Sequence, residues 1–303
     1  MKQQKVIIIV GPTASGKTSL SLQLAAHYKT SIISADSRQC FHELNIGVAK
    51  PPGEALHAIK HYFINSHSIH DVVNAQVFET YALNAAQEIF KKNDVAIMAG
   101  GTGMYIKAFC DGLDEIPEVE LSLREQIINA YKEKGLAWLQ PEVQEKDPGF
   151  WVVAEQQNPQ RLMRALEVVG STGRSITAFR NNVNKERPFN IIKIGIDISK
   201  PQLHANIEKR TDEMVAEGLV EEVGSLYAFK HINALQTVGY KEIFEYMEGK
   251  FSLAEAVNQI KINTRQYAKR QLTWFRKDKT IHWLAGGNLT GSDFERLHLP
   301  FVS

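Results

Sequence analysis

The chain reads as an α/β protein: a P-loop parallel sheet flanked by helices, carrying an all-helical insertion domain. Three observations predict this. Apolar runs alternate with helical patterns from Val6 to Gly103, the order of βα units that builds a parallel sheet covered on both faces. The first apolar run, Val6 to Val10, empties into G-P-T-A-S-G-K-T at residues 11–18, a phosphate-cradling loop set between a strand and a helix. From Pro117 to Arg187 the pattern turns helical and polar with no convincing strand, which marks the insertion.

In chain order the spacing predicts strand 5–10, helix 17–27, strand 31–35, a loop to about 58, strand 60–65, helix 75–92, strand 94–99 and a helix from Gly103. A right-handed crossover through the first helix would bring strand 31–35 near the P-loop strand. In the insertion, Ser122 and Glu125 read as a capping box for a helix that Gly135 ends, and Asn158-Pro159 opens another that stops at Gly170. Strand 190–197, helix 201–217, a helical tail to about 279 and a short strand 281–284 complete the sheet domain. The expected domains are therefore 1–116 with 188–303, and the insertion 117–187.

With 303 residues and 44% hydrophobic content, the chain is long enough to bury a sizeable core and to carry a smaller second one. No run approaches the roughly 18 apolar residues that span a bilayer. Residues 1–5 lead straight into a strand without an apolar leader or cleavage site, so the expectation is a cytoplasmic protein with no membrane partner. Cys40 and Cys110 lie far apart without neighbours at metal spacing, which excludes a disulfide framework or zinc module and leaves two buried thiols. A net charge of +1 argues against a wholesale nucleic-acid coat. Residues 256–280 nevertheless hold seven Lys or Arg against Asp278 alone. Lys261, Arg265 and Lys269 fall one helical turn apart, which suits either a phosphate backbone or a solvated helix face.

The loop carries the chemistry. Gly11 and Gly16 let the backbone curl through Pro12, Thr13, Ala14 and Ser15 so that its N–H groups point at phosphate oxygens. Lys17 adds a point charge, Thr18 offers a hydroxyl to Mg²⁺, and the helix N-terminus adds its positive end. Strand 31–35 delivers Asp36, Ser37, Arg38 and Gln39 to the same sheet edge as Lys17. There the Asp36 carboxylate could hold Mg²⁺, act as a base or cap a turn. Strand 94–98 ends in Ala99-Gly100-Gly101-Thr102-Gly103, glycines where an NTPase places an acid that orders metal and water. This favours a P-loop protein that does not hydrolyse ATP, with Asp197 ranked lower as a displaced acid.

These segments resemble those of the tRNA dimethylallyltransferases, the family that prenylates an adenine beside the anticodon. The matching stretches are G-P-T-A-S-G-K-T (11–18), I-S-A-D-S-R-Q (33–39), I-G-x-A-K-P (46–51), A-G-G-T-G-M-Y (99–105), N-P-Q-R-L-M-R-A-L-E (158–167), V-G-Y-K-E (238–242) and T-R-Q-Y-A-K-R-Q-L-T-W-F (264–275). Val48 stands where the family usually shows Thr, and the zinc-finger tail of eukaryotic members is missing, so the likeness is to the compact bacterial type.

The resemblance implies transfer of a dimethylallyl group from dimethylallyl diphosphate to the exocyclic N6 amine of the adenine immediately 3′ of the anticodon, releasing diphosphate. Gly11 to Thr18 and Arg210 would bind the diphosphate, Thr18 would ligate Mg²⁺, and Asp36 would be the base. Thr13 and Thr102 would line the site, Thr102 as a catalytic residue. The tRNA anticodon stem-loop would meet Asp36, Ser37, Arg38, Gln39 and Thr102, together with Arg124, Gln160, Arg161, Leu162, Met163 and Arg164 of the insertion. Structural readings stand beside these: Arg210 pairing with Glu213 or Glu217, Arg164 pairing with Glu167, and His61, which matches a family histidine, serving the strand edge. A P-loop small-molecule kinase with ATP in the loop is the alternative function, and a non-catalytic RNA-binding module a third. Clamping one substrate needs no partner subunit, so a monomer is expected.

Overall fold

The structure, a computed structural model, describes residues 4–180 and 184–286. At its centre lies β1 (Lys5–Val10), whose unbroken apolar run is buried on both sides: Val6, Ile8 and Val10 join one hydrophobic cluster and Ile7 and Ile9 another, all fully buried. A strand that lacks a polar face is what a doubly covered parallel sheet requires. The other strands are β2 (Ile32–Ser34), β3 (His61–Tyr62), β4 (Val95–Gly100), β5 (Asn190–Asp197) and β6 (Ile281–Ala285), in the order β3-β2-β4-β1-β5-β6 with every pairing parallel. Around the sheet run α1 (Lys17–His27), α2 (Gly53–Ala58), α3 (Ala75–Phe90) and α4 (Gly103–Asp111). The intervening segment holds α5 (Leu121–Lys134), α6 (Leu136–Lys146), α7 (Pro148–Trp151) and α8 (Pro159–Thr172), and the chain then adds α9 (Lys200–Ala216), α10 (Leu219–Ser225), α11 (Tyr240–Met247) and α12 (Leu253–Phe275).

Two sheet details differ from expectation. β2 does not neighbour β1; β4 lies between them and pairs with both. The run Val95 to Met98 is long and buried enough to hold the central position, whereas β2 has only three residues. β3 stops after Tyr62 because Phe63 (φ 61°) and Asn65 (φ 52°) turn left-handed. β1 connects toward β2 on one side and β4 leads to β5 on the other, so a crevice opens at their adjacent carboxyl ends, the usual place for a ligand in such a sheet.

The described chain divides into two compact units. One runs through Cys110 and resumes at Glu186; the other is Asp111–Lys185, closed by the Lys185 N–H donating to the Asp111 carbonyl at 2.8 Å. The division thus comes before residue 117 on one side and before 187 on the other. Arg187 sits with the sheet unit, donating to the Phe109 and Ala108 carbonyls at 2.7 and 2.8 Å and pairing with Glu79.

In the helical unit Leu139, Val143, Leu162, Ala165 and Val168 form a fully buried core. Asp147, 2% exposed, ties its turns together by accepting from the Phe150 and Ile176 N–H groups. Ser122 is not a cap: α5 starts one residue earlier with Glu120 at its N-cap. Asn158 does cap α8, accepting from Arg161 N at 3.3 Å, but that helix continues through Gly170 to Gly173 (φ 66°). Gly170 serves packing instead, since a Cβ there would stand 3.1 Å from Leu123 Cδ2. Among the described residues no helix is long and apolar enough to cross a membrane. Cys40 and Cys110 are both buried, and neither is in a disulfide.

Candidate active site

The crevice at the carboxyl ends of β1 and β4 widens into a cavity of ≈ 540 Å³ lined by the P-loop, the turn after β2, the end of β4 and one face each of α9 and α12. Between β1 and α1 the loop passes through Gly11 (φ 152°), Ala14 (φ 60°) and Gly16 (φ 93°), which is the curl that phosphate binding needs. Thr13, Ala14, Lys17 and Thr18 line the cavity. Lys17 Nζ donates to the Pro12 carbonyl at 2.6 Å. Burial, and then the Arg210 guanidinium, press the Lys17 ammonium down to about 7, while the Asp36 carboxylate opposes them.

Helix α9 holds this loop at two points. Arg210 Nη1 donates to Thr13 Oγ1 at 3.2 Å, and Asn206 Nδ2 donates to the Ala14 carbonyl at 2.9 Å. The pairing of Arg210 with Glu213 does not form; Glu213 faces Lys209 instead. Burial lowers the Arg210 pKa and Asp36 counters it, so both cations at the loop share the field of one carboxylate.

Asp36 opens the turn after β2. Its Oδ1 accepts from the backbone N–H of Arg38 (2.9 Å) and of Gln39 (3.4 Å). Among the described residues these hydrogen bonds end on Oδ1, so the cap and a second use of Oδ2 are compatible. Ser37 and Arg38 also line the cavity. Gln39 lines it too, but its amide is engaged internally: Nε2 donates to the Val48 and Ala49 carbonyls and Oε1 accepts from Ser34 Oγ. It ties the turn to the 46–51 loop rather than presenting free donors. Thr102 lies behind the turn, outside the cavity wall, its Oγ1 accepting from Ser37 N at 3.0 Å. Its place is that of an anchor for the Asp36 turn. His61 lines the cavity, where its Nδ1–H donates to the Ile59 carbonyl at 2.7 Å and burial lowers its pKa.

The glycines that end β4 have a steric cause. A Cβ on Gly100 would stand 2.1 Å from the Ala35 carbonyl oxygen, and one on Gly101 would stand 2.1 Å from Gln271 Nε2. At Gly100, the last residue of β4, there is no room for a metal-binding acid. Asp197, at the end of β5, is outside the cavity in an exposed pair with Arg276 at 2.8 Å.

Three residues on α12, spaced four apart, face the site. Asn263 Nδ2 donates to Glu242 Oε1 at 2.6 Å, and Glu242 Oε2 in turn accepts from Gly239 N. The Tyr267 ring lines the cavity, with its phenol close enough to Asp36 and Thr102 for both to act on its ionisation. Gln271 Oε1 accepts from Thr13 N at 2.8 Å while its Nε2 donates to the Gly101 carbonyl at 2.9 Å, bridging the P-loop to the β4 turn. Five cationic side chains, Lys17, Arg38, Arg210, Lys241 and Arg270, line the cavity against Asp36 and the already engaged Glu242, an excess that calls for an anionic ligand.

Sequence reasoning gave no site role to Asn206, Glu242, Asn263, Tyr267 or Gln271; the available signals were the spacing of 263, 267 and 271 inside an otherwise basic helix and the presence of Glu242, Tyr267 and Gln271 in stretches that carry the family resemblance. The basic stripe on that helix is largely structural: Lys261 pairs with Asp212 at 2.6 Å and Arg265 with Glu208 at 3.7 Å, both on α9.

In the helical unit, Arg124 and Arg164 both reach Glu167, at 3.3 and 3.1 Å, and Glu167 is only 6% exposed. Two guanidinium groups on one carboxylate leave a cationic surplus at that point. Gln160 and Arg161 are exposed, Arg161 pairing with Glu155 at 3.1 Å. Leu162 corrects the expectation of an RNA contact: it is fully buried in the core, and Met163 packs half-buried against the same core.

The comparisons with known proteins agree over nearly the full length. The chain is similar to tRNA dimethylallyltransferase 1 of Bacteroides fragilis, 42% identical over 283 residues covering 93% of this chain and 94% of that one. It is 46% identical to the tRNA dimethylallyltransferase of Christiangramia forsetii over 278 residues, 92% of each chain. The crystal structure of the tRNA isopentenylpyrophosphate transferase from Bacillus halodurans superposes with a TM-score of 0.70 at 30% identity, covering 98% of this chain and 95% of that one. A eukaryotic dimethylallyltransferase acting on tRNA superposes with a TM-score of 0.76 at 25% identity, covering 97% of this chain and 76% of that one. A family model described as IPP transferase matches residues 39–278, and on that span and these identities the chain belongs to the IPP transferase family.

Proposed function

We propose that the protein transfers a dimethylallyl group from dimethylallyl diphosphate to the N6 amine of the adenine immediately 3′ of the anticodon in tRNA, releasing diphosphate. The carrying observation is that Asp36 opens on the same cavity as Lys17 and Arg210 and acts electrostatically on both. A base thus stands beside an anion cradle. As the allylic carbon–oxygen bond breaks, negative charge builds on the leaving diphosphate, where Lys17, Arg210 and the P-loop N–H groups stabilise it. The adenine amine is a weak nucleophile because its lone pair is delocalised into the ring. Asp36 Oδ2 takes its proton as the carbon–nitrogen bond forms.

The donor set fits Mg²⁺. Thr18 lines the cavity in the first turn of α1, beside Lys17. The Thr18 hydroxyl would hold the ion as the Ser or Thr of a P-loop does, with water and phosphate oxygens as its other ligands. When bound it neutralises charge on the departing diphosphate. The target base must leave the anticodon loop stack to reach Asp36, and Arg124, Gln160, Arg161 and Arg164 offer contacts to the RNA backbone from the helical unit. A single chain acting in the cytoplasm, where its RNA substrate resides, suffices for this reading. The kinase alternative is not favoured, because the β4 end has no space for the acid it would use.

The test combines purified protein, Mg²⁺ and unmodified tRNA with either dimethylallyl diphosphate or ATP. Diphosphate release with one prenyl group added to the RNA is expected with the first alone. Asp36→Ala should lower turnover by about two to four orders of magnitude, the range for loss of a positioned base, with donor affinity little changed. Collapse of donor binding in that variant would make Asp36 a structural residue and refute its role as base.

A further inference from the structure

The cavity that holds Lys17 and Asp36 has many polar and aliphatic walls but a single Tyr, Phe or Trp ring among its lining residues, that of Tyr267. Its place is defined from several directions. The ring rises from α12, four residues before Gln271, whose amide is locked between Thr13 and Gly101. Its phenol is near Thr102, the anchor of the Asp36 turn, and feels the charges of Asp36 and Arg38. The Arg270 guanidinium lies 5.9 Å from the ring centroid, a cation–π distance that braces the ring. Burial, followed by the Asp36 charge, pushes the phenol up to about 12, so it enters the reaction neutral.

A flat heteroaromatic base that brings an amine to Asp36 has to occupy the space beside this ring, and base–aromatic stacking is the standard way proteins hold an unstacked nucleotide. Resting on the prenyl-transfer reading above, we infer that Tyr267 is the platform on which the target adenine stacks, holding its exocyclic amine beside Asp36. The stacking face replaces the neighbour that the base loses on leaving the anticodon loop.

The experiment compares wild type with Tyr267→Leu and Tyr267→Phe in prenylation kinetics. It adds equilibrium binding of an anticodon stem-loop RNA carrying 2-aminopurine, which lacks the reacting amine, at the target position. Tyr267→Leu should raise KM for the RNA by about tenfold to a hundredfold, the range for loss of one base–aromatic stack. KM for the donor should move little, and bound 2-aminopurine should become brighter than on wild type. Tyr267→Phe, which keeps the ring, should restore most of the RNA affinity and the quenched emission. Donor binding by each variant verifies its fold; if Tyr267→Leu fails that control, Tyr267→Gln is read in its place.

Unchanged RNA KM and emission in the Leu variant would overturn the inference. So would a kcat loss shared by Leu and Phe at constant RNA KM, which would mean that the phenol acts through Thr102. A kcat loss in Leu alone at constant RNA KM would also overturn it, placing the ring against the allylic cation. Wild type that leaves tRNA unmodified would refute the prenyl-transfer reading instead, so the two failures are distinct.

Discussion

Binding of the prenyl donor should take up a proton, and the amount follows from Lys17. Its ammonium is held at about 7 by burial and by Arg210, far below its ordinary 10.5. At pH 8 a group with that value is about nine-tenths neutral, so a bound diphosphate that recharges it draws about 0.9 proton from solution; at pH 6 the uptake falls to about 0.1. Titration calorimetry of the donor without RNA, in buffers of unlike ionisation enthalpy, reads this directly. The slope of apparent heat against buffer enthalpy should be large at pH 8 and nearly flat at pH 6, after correction for the donor's own protonation. Affinity should weaken by about tenfold per pH unit above 7, because each binding event must first charge the lysine. Lys17→Met should abolish the buffer dependence and weaken binding. The sign for stability is opposite: the folded value lies below the unfolded one, so ligand-free stability rises as pH climbs from 7 toward 10.5, and below 7 the charged ammonium is a constant burden. Buffer-independent heats at pH 8 with measurable donor binding would refute the claim that Lys17 receives the diphosphate.

The two glycines at the end of β4 should respond differently to alanine. Gly100→Ala drives a methyl into the Ala35 carbonyl and should lower the thermal midpoint sharply, whereas Gly101→Ala meets only the movable Gln271 amide and should spare the fold while reducing turnover. Gln271→Leu should reproduce the Gly101→Ala kinetics, since both release Thr13 N from its acceptor; steady-state kinetics beside melting curves check the pair. Leu162→Ala should cost roughly 2–5 kcal/mol in denaturant unfolding, the range for a buried leucine, and Glu167→Gln, which removes the carboxylate charge shared by Arg124 and Arg164, should steepen the salt dependence of tRNA binding.

The fold was legible where the pattern was strong and local. Five consecutive apolar residues before a glycine-rich loop leave few alternatives to a central strand and an anion cradle, and 190–197 carries its strand signal just as plainly. Legibility failed where long-range packing decided. Nothing local to Ile32 says that Val95 to Met98 will come between it and β1, because strand order is set by which run can be buried on both faces. Gly170 looked like a helix stop because glycine commonly is one, yet there it clears room for Leu123 from another helix. Leu162 and Met163 belong to a segment that the family resemblance assigns to tRNA, but their apolar spacing along α8 points them into the core.

The site shows the same division. Lys17 and Asp36 were readable because glycine spacing and charge advertise phosphate chemistry, Arg210 entered only through the family resemblance, and the structure gathers all three in one cavity. What makes them a site is carried by neutral residues with no such signature. Gln271 fixes the P-loop against the β4 turn, Thr102 fixes the turn that bears Asp36, and Gln39 fixes that turn to the 46–51 loop. Each of these side chains uses an amide or hydroxyl to bind a backbone group of another segment, and for Gln271 and Thr102 the partner lies 65 or more residues away, beyond any local window of sequence. The glycines that end β4 follow from the same arrangement: the Ala35 backbone leaves no volume for a side chain at Gly100, and at Gly101 a side chain would displace the Gln271 amide from its bridge. The carboxylate missing from the strand end is therefore a consequence of how closely the Asp36 turn packs on β4 at Gly100, and the acid that opens on the cavity is Asp36, after the neighbouring strand β2.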